Sequence, residues 1–321
     1  MLLPANDAAR PVLATIRSVY DPVGGFDPVP GAVFAEIARV IYGVDPDGLG
    51  DPPDRLRPDL AKQAVMLMAL LEYTAHPLRA EVSDAVRAAA RRLDTRVGLV
   101  DAAPELARRH FHLVYMDLER MSWYTKETVR QSLRGRAVEL LRSKLAYEGV
   151  VPSRPIAKRW TGLRGCARGT WGRAVADFYE AHRFPFPGQR HGIYELGARH
   201  DWVHVLADYD TDPEGEIDVF GFIAASMVDE HGLVLLAFTL SLFQNGSVDW
   251  VAGKPIASAR ADTLSEPGAV ARFVEALARG RACAVDVMGS LDLFAYKDVP
   301  LDEIRRRYGV APRGREERRL S

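Results

Sequence analysis

Apolar residues recur every three to four positions over most of this chain, in Ala-, Leu-, Arg- and Glu-rich runs that Pro/Gly clusters interrupt, and they seldom alternate. The pattern predicts an all-α, multi-helix bundle. After an irregular opening, helices are expected over Phe34–Tyr42, Leu60–Tyr73, Glu81–Leu93, Glu105–Trp123 and Glu127–Ala146. Leu60–Tyr73 is apolar on nearly all sides and belongs at the centre of a helical unit, whereas Glu81–Leu93 carries an Arg-rich outer face. Residues 1–148 therefore read as an N-terminal helical unit and 149–165, rich in Pro, Gly and basic side chains, as a connector. Residues 166–312 read as a C-terminal helical domain and 313–321 as a charged tail. In the second half Thr170 is placed to N-cap a helix from Trp171 to Arg183, and Pro185-Phe186-Pro187-Gly188 stops it. Further helices are expected over Glu195–Ala207, Glu216–Val228, Leu233–Phe243 and Ala269–Ala278, and a last short one that Gly309 ends.

Composition narrows the function classes. A length of 321 residues with 48% hydrophobic side chains can bury a sizeable core, and a net charge of -1 removes the usual electrostatic case for nucleic-acid binding. Two cysteines cannot build a disulfide framework and fit a reducing compartment. The first residues show neither a basic stretch nor a sustained apolar run, and no apolar piece reaches the roughly 20 residues that cross a bilayer. The expected location is the cytoplasm, with at most peripheral membrane contact.

One segment carries chemistry. In His200-Asp201-Trp202-Val203-His204 the two histidines lie four apart on one helical face, with Asp201 beside them. Glu216 follows after eleven residues, beyond the turn Asp208–Gly215, where a helix hairpin would bring it opposite both rings. Two imidazoles and two carboxylates suit Zn²⁺ or another divalent first-row metal, with a coordination position left open. Cys166 supports a different reading. It precedes the Thr170 helix between Arg164 and Arg168, a setting that favours thiolate. With His200 or His204 and an orienting Asp201 or Glu216 it would form a thiol-dependent acyl or amide transferase, taking a thioester from a carrier protein.

The spacing HDxxH followed by eleven residues and a glutamate resembles the metal motif of the coenzyme Q (ubiquinone) biosynthesis protein four family. Gly169-Thr170-Trp171-Gly172-Arg173 resembles that family's GTLGR, and Pro300-Leu301-Asp302-Glu303-Ile304-Arg305 its closing helix. The resemblance covers Leu163 to Pro312 and departs from the pattern at Asp208-Tyr209-Asp210-Thr211, where the family has Gly-Leu-Pro-Thr. It implies an α-helical protein in which His200, Asp201, His204 and Glu216 hold the metal. It further implies a prenylated benzoate ring handled at C1 by a lyase or oxidative decarboxylase, or else a non-catalytic organiser of partner biosynthetic enzymes. The prenyl groove would be lined by Phe220, Ile223, Met227 and Leu236, the same side chains that an ordinary helical core needs. A homo-oligomer is left open.

Overall fold

The computed structural model describes residues 2–247 and 261–313. Among them the regular structure is helical without a strand, as the three-to-four periodicity predicts, and one isolated antiparallel bridge joins Thr170 to Pro300. Most of the expected charged tail, 314–321, lies outside the described residues. The chain forms two compact units that interleave along the sequence. One comprises Met1–Ser122 and Asp210–Arg281, the other Trp123–Tyr209 and Ala282–Ser321, so both draw on residues from either side of the 149–165 stretch.

The first unit is built around the helix Pro58–Thr74, whose first-turn Pro58 needs no hydrogen-bond partner and whose apolar residues are buried on every side. Its C-terminal carbonyls are satisfied from far along the chain. Gln244 Nε2 donates to Thr74 O at 3.0 Å and Asn245 Nδ2 to Tyr73 O at 2.9 Å. The segment read as an irregular opening is instead the helix Ala9–Tyr20, because Val12, Leu13, Ile16 and Val19 form a buried stripe and Pro11 falls in the tolerated first turn. The single helix expected over Glu105–Trp123 is two, Gly98–Ala107 and Phe111–Met121, separated where Arg109 takes a positive φ of 60°. Pro213–Ser226 and His231–Phe243 pack as a close pair. At Gly232 a Cβ would stand 2.8 Å from the Ala224 Cα, so only glycine permits that approach.

In the second unit Gly135, with φ 84°, breaks the expected Glu127–Ala146 helix into Trp123–Gln131 and Ala137–Tyr147. The stretch 149–165 is no plain connector. It holds the helix Arg154–Thr161 and a 3-10 turn over Gly162–Gly165, since Pro155 at the second helical position removes only an N–H that has no helical partner. Thr170 caps Trp171–Ala181, accepting from the Arg173 N–H at 3.4 Å. Trp160, Trp171, Tyr179 and Trp202 fill the core, all fully buried. Trp171 Nε1 donates to the Trp202 carbonyl at 3.1 Å, which fixes the helix Arg199–Ala207 against Trp171–Ala181.

Candidate metal centre

The centre is carried by the helix Arg199–Ala207, which begins four residues later than its periodicity predicts because residues 195–198 are wound as turns ahead of it. Trp202, Val203 and Leu206 bury its apolar faces. Both ends are tied to the last part of the chain. Arg199 donates through Nη2 to Met288 O at 2.8 Å and Leu291 O at 2.7 Å, and Arg305 donates through Nε to Leu206 O at 2.9 Å and through Nη2 to Val205 O at 3.1 Å. The arginine at the second end satisfies carbonyls that a helix C-terminus leaves over.

On the remaining face His200, Asp201 and His204 each offer one ligand atom, and the three lie within 4.8 Å of one another. His204 is 1% and Asp201 6% exposed. Each is held from behind. His200 Nδ1 lies 2.6 Å from Gly197 O, and because a carbonyl only accepts, that nitrogen donates the hydrogen bond. His204 Nδ1 faces Tyr209 O at 3.3 Å in the same manner. That carbonyl is turned back over the ring by Asp208, which ends the helix in the left-handed region at φ 65°. Asp201 Oδ2 accepts the Tyr179 hydroxyl, while Oδ1 stands 3.2 Å from His200 Nε2. Burial, and then the Asp201 charge, push the Tyr179 phenol well above its ordinary value, so it remains a donor.

The donor set fits a small divalent cation. With the imidazole neutral, Nε2 and Oδ1 would present two lone pairs to each other, and a cation, either a metal ion or the proton of an imidazolium, relieves that repulsion. A tetrahedral ion with bonds of about 2.0–2.2 Å holds adjacent donors about 3.3–3.6 Å apart, close to the separation found. Ligating histidines characteristically donate their other nitrogen to a carbonyl or carboxylate, as both rings do here.

No known family profile matches the chain, and no curated protein matches it. Among solved structures, a Nostoc punctiforme protein provisionally assigned to ubiquinone biosynthesis is 17% identical. The match covers 76% of this chain and 96% of that one at a TM-score of 0.33, a likeness too low to carry an argument.

The remaining candidates are placed as follows. Glu216 lies half-buried in the first turn of Pro213–Ser226, a helix that starts before it because Asp212 caps the Gly215 N–H at 2.7 Å. It belongs to the first unit, whereas the His–Asp–His group belongs to the second. Cys166 is buried, and its thiol faces Asp298. Burial and that carboxylate push it up despite Lys297 alongside, the opposite of the thiolate expected from two sequence-near arginines. Phe220, Ile223, Met227 and Leu236 are all buried, with the protein's own side chains covering the surface a groove would need. Among the described residues no helix is long and apolar enough to cross a membrane.

Tyr179 and the carbonyls of Gly197 and Tyr209 escaped the sequence. Backbone groups leave no residue signature, and a tyrosine 22 positions before its aspartate has no spacing to betray it.

Proposed function

We propose that this protein binds one divalent first-row metal ion, with zinc the first candidate, through His200, Asp201 and His204. The observation that supports the reading best is the convergence of His200 Nε2 and Asp201 Oδ1 at 3.2 Å with the His204 ring beside them, while His200 Nδ1 is already engaged by Gly197 O. Glu216, expected as a fourth ligand from its spacing, belongs to the other unit and is left out of the proposed set. Three protein donors leave room for one oxygen of a substrate or of water. Such an ion, when bound, supplies Lewis-acid polarisation of that oxygen.

The motif order that resembles the coenzyme Q biosynthesis protein four family gives the substrate class: a prenylated ring bearing a carboxylate or phenolate oxygen, acted on at C1. Phe178, whose ring lies parallel to His204 with centroids 5.8 Å apart, gives one apolar wall against which a flat ring can rest. The chain's own residues orient the donors and keep bulk water from them, since Asp201 and His204 are buried.

Metal analysis tests the core of this. The protein purified without chelator should carry about one zinc per chain, and His204→Ala none. No stoichiometric metal in the wild type, or unchanged metal in the variant, would leave His200 and Asp201 as a protonated imidazolium–carboxylate pair and end the reading. Removing the metal from the wild type then separates a catalytic from a structural ion. Loss of ring turnover with the helix content intact marks the first, and unfolding marks the second.

A further inference from the structure

We infer that Tyr179 is a positioning residue that restricts Asp201 to a single metal-directed oxygen and thereby sets which cation the centre accepts; this rests on the metal reading above. A carboxylate offers two oxygens, and hard cations such as Ca²⁺ commonly use both. Here one is already engaged. The Tyr179 hydroxyl donates to Oδ2, and Oδ1 stands 3.2 Å from His200 Nε2.

The hydroxyl has little freedom to withdraw. Tyr179 is 1% exposed, and its ring stacks on Phe186 with centroids 4.9 Å apart and planes at 16°. Trp160 and Phe184 border it at 5.8 and 6.2 Å. Trp160 is itself pinned, its Nε1 donating to Glu195 Oε1 at 2.9 Å. The ring is thus clamped by an aromatic layer, and the phenolic oxygen is aimed at one carboxylate oxygen. With Oδ2 held, the three side chains present three single-point donors, two nitrogens and one oxygen. That count and mixture suit a four-coordinate zinc or cobalt ion and disfavour Ca²⁺ or Mg²⁺, which need six or more oxygens.

The test uses full-length protein and two metals. Zinc affinity is measured by competition with a chromophoric chelator, and coordination by the visible d–d spectrum of the Co²⁺-loaded form. Tyr179→Phe should weaken zinc binding by about 10–100-fold, the usual effect of removing a ligand's outer partner. Its cobalt bands should lose intensity as Asp201 turns bidentate and the coordination number rises, a change that a merely structural role would not produce. Phe186→Leu, which loosens the same ring stack and keeps the hydroxyl, should shift the cobalt bands in the same direction and by less. Adding Tyr179→Phe to Asp201→Asn should cost no further affinity, because the tyrosine acts through that side chain. Wild-type affinity and an unaltered cobalt spectrum in Tyr179→Phe would overturn the inference while the metal reading stands, as would a full additive loss in the double variant. A wild type that takes up neither zinc nor cobalt overturns both.

Discussion

Asp201 in one unit and Glu72 in the other are carboxyls withdrawn from water to a similar degree, 6% and 0% exposed, and their surroundings treat them in opposite ways. Asp201 has a neighbour at each oxygen: the Tyr179 hydroxyl on one and the His200 imidazole 3.2 Å from the other. Glu72 sits near the end of the apolar Pro58–Thr74 helix, where burial pushes its carboxyl well above the ordinary range and Ser83 and the Arg87 guanidinium pull it back only in part. A buried acid therefore does not by itself mark a site. What sets Asp201 apart is the convergence of two imidazoles on the same face.

The sharpest test of this contrast is to neutralise each acid. Asp201→Asn should weaken zinc binding sharply, whereas Glu72→Gln should keep the wild-type affinity. Equal losses in both would mean that burial, not convergence, governs metal retention. Next in size is the cost of apolar burial in the helix pair of the first unit. Ile223→Ala should destabilise by about 2–5 kcal/mol in urea unfolding and leave zinc affinity alone. A change below about 0.5 kcal/mol would show that Ile223 lines an open groove after all.

The pH response separates the acids again. Glu72 has a folded value above its ordinary 4.5, so the stability it contributes is complete below that value and declines as pH rises toward the folded one. In that interval wild type should lose up to about 1.4 kcal/mol per pH unit relative to Glu72→Gln, read from denaturation midpoints at stepped pH. Parallel midpoints would show that Glu72 is ionised in the folded state. The smallest effect is expected at the cap: Thr170→Ala should cost about 1 kcal/mol in thermal unfolding. A neutral result would mean that the 3.4 Å contact to the Arg173 N–H contributes nothing.

The helices and the His–Asp–His face were legible in the sequence because both are local patterns. Leu60–Tyr73 differs from the observed Pro58–Thr74 by two residues at one end and one at the other. His200 and His204 share a face because four residues make about one turn. What failed was punctuation. Pro155 belongs to the Pro/Gly cluster that reads as a connector, yet it stands in a first turn, where the missing N–H has no helical partner. Gly135 lies inside the run that reads as one helix and takes a positive φ. Cys166 was misjudged for a different reason: two arginines near it in sequence suggested thiolate, but the group its sulfur faces is Asp298, more than a hundred positions away. Tyr179 was invisible for the same reason, since its partner is fixed by packing of aromatic rings and not by any repeat.

The two arginines that secure the Arg199–Ala207 helix reach across 89 to 100 positions of chain. During synthesis at roughly 5–20 residues per second, the ligand-bearing segment thus leaves the ribosome about 5–20 s before the carbonyls and guanidinium that lock its ends. On the metal reading proposed above, loading is accordingly a late event in the life of a nascent chain. Polypeptides released before residue 305 lack one of the two locks and would compete poorly for zinc.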